Sequence, residues 1–168
     1  ETRPGAWSYV AVRADSRSGQ DHPVARGGSL PMAKTVGSSQ GGIAVMRLAS
    51  KRDVKLFDVP DDLNFKAAVA FYPICSAASQ ALAIPTLVMI GELDDWTPAK
   101  NCEQWISLHG DKEPPVKLVV YPGAYHAFDA STLKQGLYRF GHWLKYDADA
   151  AQRSTVEMRD FLATYLSN

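Results

Sequence analysis

Met32-Ala33-Lys34-Thr35-Val36-Gly37-Ser38-Ser39-Gln40-Gly41-Gly42-Ile43-Ala44-Val45-Met46-Arg47-Leu48 is the stretch on which the reading of this chain turns. Met32–Val36 reads as a short strand and Ile43–Leu48 as a helix. Between them lies a Gly-x-Ser-x-Gly pattern centred on Ser39. A serine on a sharp strand-to-helix turn has strained backbone angles, and side chains two residues away on either side would collide. Glycine at 37 and 41 removes those collisions. Such a turn lifts the Ser39 hydroxyl above the sheet edge, with the positive end of a helix behind it. A glycine-rich loop carrying a solvated serine is the plainer reading of the same residues. The strand before and the helix after favour a nucleophile.

Working outward, the flanking segments alternate between strand and helix patterns. Ser8–Arg13 is rich in residues that suit a pleated, half-buried surface, whereas Asp15–Leu30, with its glycines and Pro23, reads as loop. Beyond the motif, Lys51–Asn64 is polar and broken by Pro60. Phe65–Tyr72 is a near-continuous apolar strand ended by Pro73, and Thr86–Ile90 is another, ended by Gly91. Thr97 is a plausible N-cap, with Pro98 in the first turn of a helix that runs to about His109 and stops at Gly110. Val116–Tyr121 is the next strand. A last helix from near Asp149 carries Met158, Phe161, Leu162, Tyr165 and Leu166 on one stripe. Continuous apolar strands alternating with helices predict an α/β fold whose mostly parallel sheet is covered on both faces. One domain is expected over residues 1–168, with 1–31 an atypical strand plus loop and 32–168 the core.

Composition excludes several function classes. Lys and Arg number 18, and so do Asp and Glu, so no strong field draws this surface to nucleic acid or anionic lipid. Apolar residues make up 46% and charged residues 21% of 168, the balance of an ordinary soluble domain. The longest apolar stretches, Ala67–Tyr72 and Thr86–Ile90, are too short to span a bilayer. No secretory apolar segment is visible, and the first residue is Glu1 rather than Met. That end is expected to be processed, truncated or engineered. A cytoplasmic location is the expectation, replaced by export if Cys75 and Cys102 are bonded to each other. No His or Cys spacing suits a metal, and none is implied.

A serine hydroxyl needs a base, and the base needs an orienting acid. Past the end of Thr86–Ile90 comes Gly91-Glu92-Leu93-Asp94-Asp95-Trp96-Thr97-Pro98. Past the end of Val116–Tyr121 comes Pro122-Gly123-Ala124-Tyr125-His126-Ala127-Phe128-Asp129. Chain order serine, acid, histidine, each just beyond a strand's carboxyl end, makes Ser39, Asp94 and His126 the candidates. Asp94 is preferred to Asp95, which on extended backbone points the other way and could cap the following helix. A lone loop His or Asp is ordinarily just solvated; the joint placement lifts these three above that reading. The remaining histidines, His22, His109 and His142, are weaker candidates: His109 suits a helix end, and His142 could line a pocket, though packing is the commoner use.

These stretches resemble the dienelactone hydrolase family of the α/β-hydrolase fold, in Val36–Gly42, Phe65–Cys75, Thr86–Cys102, Leu118–Asp129 and the terminal helix. The resemblance implies a Ser39/Asp94/His126 triad, cleavage of esters or lactones and no cofactor. Enzymes named for dienelactone cleavage carry a cysteine nucleophile; with Ser39 in that position, general carboxylesterase chemistry is expected. The N-terminal part departs from the family, and the fold is expected to be reduced there. The Gln40 amide can serve as one oxyanion donor, while the second usually comes from an earlier loop that is not recognisable. A backbone amide near Asp15–Ser18 is the candidate replacement.

Tyr72, Trp96, Tyr125 and Phe128 are the candidate substrate-binding residues, joined by Leu137, Tyr138 and Trp143 from the segment after His126. Packing is the commoner use of such aromatics. Only Cys75–Pro85 separates two strands where larger relatives insert a lid, so an open site for small or accessible esters is expected. Cys75 and Cys102 would lie near the same sheet edge, where either a disulfide or two buried thiols is possible. The expected partner is a small-molecule ester, with no nucleic acid and no membrane. Two rival readings stand: a silent or weakly active hydrolase-fold fragment, and a serine peptidase of related fold.

Overall fold

Among the described residues, five strands form the main sheet: Val10–Ala14 (β1), Met32–Ser38 (β2), Asn64–Phe71 (β3), Thr86–Gly91 (β4) and Val116–Tyr121 (β5). They lie side by side in chain order, β1 antiparallel to β2 and the remaining pairs parallel. The geometry comes from a computed structural model that describes residues 10–14, 32–53, 64–75, 82–109 and 114–166.

Burial explains the order. Leu87, Val88, Met89 and Ile90 are fully buried in β4, as are Ala67 to Ala70 in β3. A strand apolar on both faces is stable only with neighbours on both edges and cover above and below. Complete burial of each large side chain stabilises by about 1.5 to 3 kcal/mol. Edge strand β5 is only half-buried along most of its length, with Lys117 exposed and Tyr121 buried. The Tyr121 phenol is buried against Phe128, and burial, with Glu157 adding, pushes its pKa up to about 12.

Helices Gln40–Leu48 (α1), Ala99–His109 (α2) and Ala148–Leu166 (α3) follow β2, β4 and the segment after β5. Alternation along β2 sends Gly37 toward α1 and Val36 and Ser38 toward α3, so the two helices cover opposite faces. A Cβ on Gly37 would sit 2.4 Å from the Gly41 carbonyl oxygen, a distance no side chain tolerates. Helix α3 starts a residue earlier than its sequence pattern predicts. Asp147 is the reason, since its carboxylate accepts from the Ala150 amide at 2.9 Å. Such a cap contributes about 1 kcal/mol. Phe161 and Leu162 are buried from the predicted stripe, and Met158 and Tyr165 pack against the same core.

One expectation is corrected, one element is added and one expectation lies partly outside the described residues. First, Thr97 does not cap α2: its hydroxyl is occupied by Asp94 and the Tyr72 carbonyl, and the helix begins at Ala99. Second, the segment after His126 holds a hairpin, Leu137–Arg139 (β6) with His142–Leu144 (β7). Its two turn residues, Phe140 and Gly141, have φ of 50° and 86°. Positive φ at both positions matches the right-handed twist of the strands, but a phenylalanine there gives no turn signal. Third, the first strand runs over Val10–Ala14. Ser8, Tyr9 and the Asp15–Leu30 segment, with its candidate oxyanion amide, lie outside the described residues.

Cys75 and Cys102 are joined in a disulfide with their Cα atoms 4.8 Å apart. It ties the chain leaving β3 to the first turns of α2. Among the described residues, no helix is long and apolar enough to cross a membrane.

Candidate active site

Ser39 occupies the turn between β2 and α1 with φ of 52°. A left-handed serine is uncommon, and such strain persists only where neighbours enforce it. Here the Ser39 amide donates to the Phe71 carbonyl on β3 at 3.0 Å, while its own carbonyl starts α1 by accepting from Ile43. Gln40 is the first residue of that helix, where a backbone amide has no acceptor within the helix. The turn therefore presents a hydroxyl beside an amide that has no acceptor within the helix.

His126 and Asp94 come from the loops after β5 and β4. Gly91 permits their approach: a Cβ there would lie 2.3 Å from the Ala124 carbonyl oxygen. His126 Nδ1 is 2.8 Å from Asp94 Oδ2, and His126 Nε2 is 3.1 Å from the Ser39 hydroxyl. With the carboxylate accepting at Nδ1, the neutral ring keeps its proton there and leaves Nε2 open to the Ser39 proton. Both Asp94 and His126 are buried, and the Asp94 carboxylate is saturated with donors. Oδ1 takes the amides of Trp96 and Thr97, and Oδ2 takes the Thr97 hydroxyl besides the imidazole. Such an arrangement can draw a proton from an alcohol and return it to a leaving group.

Two aromatic rings hold the imidazole. Tyr72 lies 4.5 Å from it and Trp96 lies 5.1 Å, between ring centroids. Tyr72 has φ of 38° and is buried, and its hydroxyl donates to Asp129 Oδ1 at 2.7 Å. Burial pushes the Asp129 carboxyl above its ordinary range, against the opposing pull of the Tyr72 hydrogen bond and the nearby His126. Asp129 also lines a cavity of about 210 Å³ under β2, with Val36, Ser38, Phe71 and α3 residues Ser154 and Met158.

The candidate substrate residues divide. Trp96 is half-buried against His126, and Tyr125 is half-buried next to His126 in the chain. Tyr72 is spent on supporting the imidazole. Phe128 is fully buried against Phe71, Tyr72 and Tyr121, so it belongs to the core and not to a pocket wall. Asp95 does not cap α2. It accepts from the Trp143 amide at 3.3 Å and lies 3.5 Å from His142 Nδ1. His142 stacks on Trp96 with centroids 4.9 Å apart. His109 meets the Pro114 carbonyl at the end of α2. Sequence reasoning missed Thr97 and Asp129 as members of this network. Asp129 stands three residues past His126, but no local pattern pairs it with Tyr72, 57 residues away.

The dienelactone hydrolase family profile matches residues 36–166. The chain belongs to the dienelactone hydrolase family. Among solved structures, it is similar to a protein of Klebsiella pneumoniae subsp. pneumoniae MGH 78578 classed with the dienelactone hydrolases. That match has 24% identity and a TM-score of 0.56, over 77% of this chain and 51% of the other. Esterase 2 of Thermogutta terrifontis matches at 18% identity and a TM-score of 0.50, over 77% of this chain and 54% of its own. A puromycin-hydrolyzing peptidase of Mycobacterium tuberculosis matches at 16% identity and a TM-score of 0.51, over 77% of this chain and 21% of its own. At these identities the likeness is one of α/β-hydrolase fold. The chain spans about half the length of the Klebsiella and Thermogutta relatives it matches. No curated protein sequence matches it.

Proposed function

We propose that this dienelactone hydrolase family member is a serine ester hydrolase acting on small, accessible esters through an acyl-enzyme. The observation that carries the reading is the imidazole of His126 standing between the Ser39 hydroxyl at 3.1 Å and the Asp94 carboxylate at 2.8 Å. Ser39 attacks the ester carbonyl as Nε2 takes its proton, and Asp94 steadies the imidazolium that forms. The carbonyl oxygen becomes an oxyanion beside the Gln40 amide. Collapse expels the alcohol, protonated by His126, and leaves Ser39 acylated. Water, deprotonated by the same ring, then releases the acid and restores the serine.

Among the described residues, the Gln40 amide is the one oxyanion donor assigned. Loss of a single donor costs about two to three orders of magnitude in rate. A second reading, a weakly active or silent hydrolase fold, is favoured by that single assigned donor.

A fluorophosphonate probe with peptide mapping tests nucleophile and base together, and p-nitrophenyl acetate with a Ser39→Ala control tests turnover. The ester hydrolase reading expects a single labelled peptide containing Ser39 and turnover that disappears in Ser39→Ala. Labelling elsewhere, or turnover unaffected by Ser39→Ala, overturns it; labelling at Ser39 without measurable turnover favours the second reading.

A further inference from the structure

We propose that the β6–β7 hairpin is the element that recognises the alcohol portion of the substrate, and that Phe140 with the edge of Trp96 selects alcohols carrying a planar apolar ring. The inference rests on the ester hydrolase reading and gives its substrate a chemical class.

The argument starts from where the leaving group must go. Protonation by His126 requires the ester's alcohol oxygen within hydrogen-bond reach of Nε2, while the carbonyl oxygen faces the Gln40 amide. The alcohol therefore lies on the imidazole side of Ser39. Of the two rings against that imidazole, Tyr72 is buried and Trp96 is not. Among the described residues, Trp96 is thus the accessible ring against the imidazole, and the site continues over what packs on it. What packs on it is the hairpin, through His142 at 4.9 Å and Phe140 edge-on at 6.1 Å.

The hairpin is held against both loops that supply the base and the acid. Lys145 donates its amide to the His126 carbonyl, and Leu144 bridges to His126. On the acid side, Asp95 takes the Trp143 amide and faces His142. A ring at the hairpin tip is thus fixed relative to the reacting atoms and loses little freedom on meeting a ligand.

Phe140 is where the fold departs from economy. It sits at φ of 50°, a backbone region that suits Gly or Asn and is costly for a bulky residue. The residue is 77% exposed, so burial does not offset that cost. The Arg139 guanidinium lies 5.2 Å from the ring centroid, which restrains the ring on that side. A strained, exposed, restrained phenylalanine one ring away from the base is a recognition surface for a flat apolar group, which it meets by stacking or edge contact.

Benzyl acetate and ethyl acetate share an acyl group and present alcohols with and without a ring. For the intact chain, kcat/KM is expected to favour benzyl acetate. Phe140→Asn, which suits the left-handed turn and so preserves the hairpin, is expected to lower the benzyl-to-ethyl ratio by about 3- to 10-fold through KM. Phe140→Leu should lower it less. A ratio within twofold of the original in both variants overturns the inference while Ser39-dependent turnover leaves the ester hydrolase reading standing. Turnover that survives Ser39→Ala overturns that reading instead. Saturation-transfer NMR with benzyl alcohol needs no turnover: transfer to the intact chain that is lost in Phe140→Asn supports the site, and absent or undiminished transfer sinks it.

Discussion

Asp94 and Asp95 are neighbours in the chain, yet each faces a different histidine: Asp94 lies 2.8 Å from His126 and Asp95 lies 3.5 Å from His142. Trp96, the next residue, packs against both rings. The two pairs differ in what surrounds them. Asp94 is buried and takes its remaining hydrogen bonds from Trp96 and Thr97, whereas Asp95 is about half exposed. An exposed pair of this kind is screened by water and contributes little to stability.

The contrast separates the two carboxylates functionally. Asp94→Asn, which disturbs the histidine tautomer without removing volume, is expected to lower kcat by about four orders of magnitude. Asp95→Asn should cost less than about one order of magnitude, since no proton route runs through it. Steady-state kinetics on p-nitrophenyl acetate distinguishes them, and equal losses would refute the assignment of Asp94.

Gly37→Ala tests the nucleophile turn. Its methyl group would meet the Gly41 carbonyl at 2.4 Å, and backbone cannot swing aside as a side chain does. A cost of about 1 to 3 kcal/mol in urea unfolding is expected, with kcat falling as Ser39 shifts from Nε2. An unchanged midpoint would mean that the turn is looser than described.

The Cys75–Cys102 disulfide spans a sequence separation of 27 residues. Closing a loop of that size stabilises by about 3 to 4 kcal/mol through the unfolded chain. Replacing both cysteines by alanine is expected to lower the urea midpoint accordingly, and dithiothreitol should bring the intact chain close to the same value. If the intact chain titrates with two free thiols under denaturing, non-reducing conditions, the bond is absent.

Asp129 gives a pH signature. Burial raises its carboxyl above the ordinary value of 3.8, so the folded chain holds that proton to a higher pH than the unfolded chain. Stability from this group is greatest below the unfolded value and falls as pH rises through the window up to the folded one. Asp129→Asn keeps an oxygen for the Tyr72 hydroxyl and removes the titration. The variant's Tm relative to the parent is expected to increase from about pH 4 to about pH 7. A difference that stays flat across the range counts against a raised carboxyl.

Several parts of this protein were legible in its residues because they are local. Gly37-Ser38-Ser39-Gln40-Gly41 between a strand pattern and a helix pattern encodes its own turn, since the collisions that glycine relieves lie within five residues. Apolar runs such as Thr86–Ile90 announce buried strands for the same reason, and chain order then pointed to Asp94 and His126. The hairpin escaped because Phe140 contradicts the turn chemistry it adopts. Phe128 passed for a pocket wall because burial depends on what packs from elsewhere, here Phe71 and Tyr121.

Residues alone thus determined the α/β class and the strand-to-helix turn at Ser39, which follow from backbone geometry within short windows, while chain order named 39, 94 and 126 and the sheet brought them together. Tertiary packing alone decided that Cys75 meets Cys102, that Tyr72 and Trp96 hold the imidazole, and that Asp129 and Thr97 stand behind them. Those contacts join side chains from separate strand ends, and their partners are set by the register and twist of the whole sheet, which no short window of sequence carries.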